Sequence, residues 1–167
     1  DRVPSAWGYG IPQDGMVRCV GVTKSYALGT RRGQALGGVD LTIDAPGFFA
    51  IMGRSGSGKS TLLHLLAALD RPDAGTIEVS GRSIHDLDER SATQFRGREI
   101  GIVFQQFNLI ATLSARENVE LPGELLGEDP ARLRARSGEL LDRLGLADRM
   151  GHRPQALSGG EQQRVAI

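Results

Sequence analysis

Residues 53–61 read Gly53-Arg54-Ser55-Gly56-Ser57-Gly58-Lys59-Ser60-Thr61, and what flanks them leaves few folds open. Before the stretch, Phe48-Phe49-Ala50-Ile51-Met52 is a continuous apolar run, which predicts a strand buried on both faces. After it, residues 59–69 are apolar on almost every side, which predicts a buried helix that Pro72 helps to end. Strand, glycine-rich loop and helix in that order are the context the G-x-x-x-x-G-K-[ST] pattern requires, whereas an ordinary Gly-rich turn has no need of it. The glycines let the backbone curl until successive N–H groups point inward, and the helix adds its positive N-terminal end. Such a loop cradles phosphate: Gly53, Ser55, Gly56, Ser57, Gly58 and Thr61 form the cradle, Lys59 reaches the β- and γ-phosphates, and the Ser60 hydroxyl binds Mg²⁺.

The 167 residues make room for one domain with a real core. Twenty basic residues balance twenty acidic ones, so no basic field favours nucleic acid or an anionic membrane surface. Cys19 is the only cysteine, forms no internal disulfide, and reads as a small strand residue in a reducing compartment. No apolar run approaches the ~20 residues a membrane span needs. The longest, residues 62–69, is interrupted by His64. The N-terminus lacks a signal pattern. A protein soluble by itself is expected, with any membrane role supplied by a partner.

Residues 1–15 are rich in Pro and Gly without periodicity and are predicted to be a disordered extension, Met16 being the natural start or close to it. Strands are predicted over residues 17–22, 39–43, 76–79 and 100–104, with a polar Gly-rich connection over 23–38. Helices are predicted over 88–96 and over 114–121, the latter closed by Pro122. A longer helix is capped by Asp129, starts at Pro130 and ends at Gly145, its apolar face made of Leu133, Leu140, Leu141 and Leu144. Arg132, Arg134 and Arg136 beside Glu139 and Asp142 form its solvated face. His64 reads as a helix-packing residue, and His85 and His152 as loop residues.

Leu157-Ser158-Gly159-Gly160-Glu161-Gln162-Gln163-Arg164 is the second informative stretch. Ser158-x-x-Glu161 is a capping box, which opens a last helix. It does not explain Gly159 and Gly160 in the first turn, where each glycine costs ~1 kcal/mol relative to alanine. Bare N–H groups there suit an anion that approaches closely.

With this motif the chain, over residues 16–167, resembles the nucleotide-binding domains of ATP-binding-cassette (ABC) transporters. The resemblance implies an α/β fold: a P-loop NTPase (RecA-like) core, an antiparallel β subdomain, and a helical subdomain over about residues 106–157. It implies ATP and Mg²⁺ as cofactors and a head-to-tail dimer, with itself or with a second ABC subunit. Ser158, Gly159, Gly160 and Glu161 would then meet in trans the γ-phosphate held by the other subunit's P-loop. Val103-Phe104-Gln105 looks like the Q-loop, with Gln105 as Mg²⁺ and water contact and Gln106 as the alternative register. Thr23-Lys24-Ser25-Tyr26 resembles the loop whose aromatic, here Tyr26, stacks on adenine; Tyr26 as a plain strand aromatic is the alternative.

Leu62-Leu63-His64, Phe107-Asn108-Leu109 and residues 117–122 look most like the lipoprotein-release and macrolide-export branch. That branch implies an ATPase subunit, cytoplasmic and peripheral on the inner face of the cell membrane. It would dock through a groove near the Q-loop onto an integral-membrane permease and couple ATP binding and hydrolysis to export. Arg54 replaces the proline common at its position. Ile167 follows the second motif by three residues, and no upstream apolar strand ends in the Asp-Glu pair that holds Mg²⁺ and polarises water in the family. The C-terminal part of the core is therefore expected to be missing, and these residues alone to bind nucleotide without hydrolysing it and to be unstable. The competing readings are a non-transport ABC protein of DNA repair or translation, and a non-catalytic nucleotide-binding fragment.

Overall fold

The computed structural model describes residues 16–28 and 31–167, so the extension expected over residues 1–15 lies outside the described residues. The chain forms two compact units that meet in sequence between Ile100 and Gly101.

The first unit is built on an antiparallel sheet of order β2-β1-β3-β4, with β1 Val17–Leu28, β2 Arg31–Ile43, β3 Ala74–Val79 and β4 Arg82–Ser83. Helices α1, Lys59–Leu66, and α2, Glu89–Glu99, complete it. The segment over 23–38, expected as a polar connection, is instead largely a long hairpin, with pairs such as Thr23↔Gly37 and Tyr26↔Gly33. Polar side chains do not oppose an antiparallel ladder whose one face meets water, because the pairing is made by backbone.

A bulge decides which β1 side chains face inward. Pairing with both β2 and β3 shifts register around Val20 and Gly21. Gly21 adopts φ 58 and donates its N–H to Asp40 Oδ1 at 2.7 Å. Cys19 is buried before the bulge, and Val22 and Lys24 are buried after it, so the inward parity changes from odd to even. The core gathers Cys19, Val22, Leu36, Leu62, Leu65, Ile77 and Phe95.

Further sequence expectations fail in this unit. Residues 48–52 are not a strand, and Phe48 is 98% exposed and Met52 88%. A strand buried on both faces exists only between neighbouring strands, and no described strand pairs with this one. The α1 helix ends at Leu66, and only Leu62 and Leu65 are buried in it. Leu63 and His64 face outward, so His64 is no packing residue.

The second unit contains α3 Ala115–Leu125, α4 Pro130–Arg143, two short 3₁₀ turns, and α5 Gly159–Ala166. Residues 100–104, expected as a core strand, have no strand pairing, for the same lack of a neighbour. Ser114 and Glu117 cap α3 reciprocally, and Asp129 accepts from Arg132 N with Pro130 at the start of α4. Pro122 does not close α3 but lies inside it. A proline forfeits one ladder bond, and packing against α4, where Ser137 Oγ donates to the buried Glu120 carboxylate, carries the helix past it. The core gathers Ala115, Leu141, Leu146, Leu157 and Val165. Among the described residues, no helix is long and apolar enough to cross a membrane.

Candidate functional site

The start of α1 differs from that of every other α-helix among the described residues. Asp88, Ser114, Asp129 and Ser158 each cap their helix with a side-chain oxygen. Helix α1 begins at Gly58, which has no side chain to give. Its first-turn N–H groups are therefore left for an acceptor from outside the chain. Gly58 cannot be exchanged for a capping residue. Its φ is 85, and a Cβ would lie 2.4 Å from the Ala35 carbonyl oxygen.

These N–H groups border a cavity of about 250 Å³ lined by Ala35 and by Ser55, Gly56, Ser57, Gly58, Lys59, Ser60 and Thr61. Lys59 Nζ donates to the carbonyls of Gly53 at 3.0 Å and Arg54 at 2.7 Å, and to Ser57 Oγ at 3.4 Å. The loop thus holds its one ammonium folded over its own carbonyls, beside the cavity. Among the described residues, no carboxylate lines it. Bare N–H groups, a helix N-terminus and an ammonium together form a site for a polyanion.

The Tyr26 hydroxyl donates to Asp70 Oδ2 at 2.9 Å, and the side chain of Thr61, a cavity residue, favours the ionised phenol. Lys24 Nζ donates to Asp70 Oδ1 and to the Arg71 carbonyl, both at 2.6 Å, and lies 5.3 Å from the Tyr26 ring centroid. Burial of the bonded side of the ring, with the Asp70 carboxylate, pushes the Tyr26 phenol up. Burial works against ionisation of Asp70 as well, but bonds from Lys24, Arg71 N and Tyr26 outweigh it and hold that carboxyl below its ordinary value. Sequence reasoning missed Lys24 and Asp70. Lys24 had a signal, since residues two apart on a strand share a face. Asp70, 44 residues beyond Tyr26, had none.

In the second unit, Gln105 and Gln106 are exposed, in a turn closed by Phe107 N donating to the Phe104 carbonyl. Phe107 and Asn108 follow with φ of 60 and 51, a left-handed pair that non-glycine residues rarely adopt. An apolar groove of about 720 Å³ is lined by Phe104, Phe107, Leu109, Val119, Pro122 and Leu144, among others. At α5 the capping box is complete: Ser158 Oγ accepts from Glu161 N, and the Glu161 carboxylate accepts from Ser158 N at 2.7 Å. Those bonds, with Arg149 Nε at 3.2 Å, hold the Glu161 carboxyl below its ordinary value. Gly159 and Gly160 are exposed, and a Cβ at Gly159 would meet nothing within 4 Å. Among the described residues, no packing contact calls for glycine at Gly159.

A loop and helix of this form define a P-loop nucleotide-binding protein. Residues 36–167 match the family model described as ABC transporter. The chain is 45% identical over 163 residues to a macrolide export ATP-binding/permease protein, MacB, of Azoarcus sp., covering 98% of this chain and 24% of that protein. It is 44% identical over 157 residues to the uncharacterized ABC transporter ATP-binding protein YbbA of Escherichia coli, covering 94% and 69%. The dimeric ATP-binding cassette MJ0796, in a post-hydrolysis state bound to ADP and Pi, superposes with a TM-score of 0.84 at 43% identity, covering 90% of this chain and 67% of that one. The chain belongs to the ABC transporter family and has the α/β fold of its ATP-binding cassettes. It spans about a quarter of the length of the macrolide-export relatives it matches.

Proposed function

We propose that this chain is the ATP-binding module of an export transporter of the macrolide or lipoprotein-release type, which couples ATP binding and hydrolysis to transport. The observation that carries the reading is the uncapped start of α1, with Lys59 beside the same cavity. Displacing the Lys59 ammonium from two loop carbonyls onto phosphate oxygens exchanges neutral acceptors for charged ones, which strengthens each bond about twofold. Ser55, Gly56, Ser57 and Thr61 complete the cradle, and the Tyr26 ring stacks on adenine.

The Ser60 hydroxyl, in the cavity lining, would hold Mg²⁺. This donor fits, since Mg²⁺ takes hard oxygen ligands and fills its other positions with phosphate oxygens and water. The ion would neutralise charge on the phosphates. Ser158, Gly159, Gly160 and Glu161 are read as a second phosphate contact, made in trans to the nucleotide of a second copy or a related subunit. Support comes from the open space at Gly159 and from the dimeric state of the cassette this chain resembles. The apolar groove beside Gln105 is the proposed dock for an integral-membrane permease, which would hold the module on the cytoplasmic face of the membrane. Zero net charge supports a role without nucleic acid.

Because no carboxylate among the described residues lines the P-loop cavity, activation of water falls to groups outside that lining. The same observation favours a second reading, nucleotide binding without turnover. Calorimetry with ATP and phosphate release, both on the intact protein, test the two. The transport reading requires ATP binding and turnover; binding without phosphate release supports the second. Lys59→Ala should lower ATP affinity by at least about tenfold. Unchanged affinity would remove the basis of both readings.

A further inference from the structure

We infer that Asp70 and Lys24 are positioning residues that hold the Tyr26 ring for the nucleobase and tie base recognition to the phosphate-binding helix. The inference rests on the proposed stacking of Tyr26 and assigns roles to two residues outside the P-loop.

Three observations carry it. First, Tyr26 is 38% exposed, yet its hydroxyl is anchored to Asp70 Oδ2 at 2.9 Å, so the ring keeps an open side while its position is fixed. Second, the anchor is itself held. Asp70 Oδ1 accepts from Lys24 Nζ at 2.6 Å and from Arg71 N at 2.7 Å, and Lys24 is only 9% exposed. A lysine so buried is costly unless paired, and here the ammonium is spent on the Asp70 carboxylate and the Arg71 carbonyl. Third, Asp70 lies shortly after the end of α1, whose first turn lines the cradle cavity. The β1 bulge at Gly21 completes the arrangement, because it puts Lys24 and Tyr26 on the even parity that faces Asp70.

A ring held in this way loses little rotamer freedom when a base stacks on it, so preorganisation appears as affinity for the base alone. The probes are ATP and inorganic tripolyphosphate, which has the phosphates without the base, titrated into the intact protein. Tyr26→Phe, which keeps the ring and removes the anchor, and Asp70→Asn should each lower the ratio of ATP to tripolyphosphate affinity roughly tenfold, leaving tripolyphosphate within about twofold. Tyr26→Ala should lower the ratio at least as far. If Tyr26→Ala lowers it while Tyr26→Phe and Asp70→Asn do not, stacking stands and the positioning role is overturned. If Tyr26→Ala leaves it unchanged, the stacking reading itself fails. Equal loss of both affinities would mark a disturbed fold or phosphate cradle and would also overturn the inference. Should Asp70→Asn not fold, Tyr26→Phe carries the test, since it removes one hydroxyl.

Discussion

At the scale of single residues, the site is assembled from groups whose alternatives the backbone excludes. Gly58→Ala must hold a left-handed φ and push a Cβ against the Ala35 carbonyl. The left-handed backbone alone costs roughly 1–2 kcal/mol. Denaturant unfolding should show at least that loss, and an unchanged midpoint would mean that the loop relaxes freely. Asp70 makes a pH prediction. Its folded carboxyl lies below its ordinary value of 3.8, so the unfolded chain binds more protons in that region. The stabilisation is present above the ordinary value and is lost as pH falls through the folded one. Lys24, Tyr26 and Arg71 N are the groups that face it. The stability gap between the protein and Asp70→Asn should therefore hold steady near about pH 6 and narrow below the ordinary value. A gap independent of pH would show that the Asp70 carboxyl titrates alike in the folded and unfolded chain, so that its charge adds no stability.

At the scale of elements, capping explains most of what the helices do. Four α-helices begin at Asp or Ser with a side-chain bond back to the first turn, and all four starts were readable as local patterns. The cap itself was read at Asp129 and Ser158; those at Asp88 and Ser114 were equally local but went unread. Within α3, Asn118 binds the preceding loop: its Oδ1 accepts from Ile110 N at 2.7 Å, and its Nδ2 donates to carbonyls of Ile110, Leu113 and Ser114. Asn118→Ala removes that bracket and should lower stability by roughly 1–3 kcal/mol, measured by urea unfolding. A loss under about 0.5 kcal/mol would mean that water replaces the bonds. The Arg149–Glu161 pair contributes less, because Arg149 is half exposed and solvent screens the pair.

At the scale of the whole molecule, each unit has its own core, and Cys19 reports on the first. Burial pushes its thiol up, and it is 2% exposed. Alkylation of the intact protein, followed by mass, should be slow until that core opens. Leu65→Ala, a truncation in the same core costing about 2–5 kcal/mol, should speed it. Rapid alkylation of the unmodified protein would contradict the burial. The P-loop, the helix starts and the signature motif were legible in the sequence because each depends on residues within one or two turns of chain. Family membership followed from them. Three things were not legible: the bulge that turns Lys24 and Tyr26 toward Asp70, the Asp70 anchor, and the fate of residues 48–52. The first rests on pairing with two other strands, the second on a contact across 44 residues, and the third on whether a neighbouring strand lies alongside. A strand's alternation records which side chains could be buried together. Only the tertiary structure decides which of them are, because the partner that buries them comes from elsewhere in the chain.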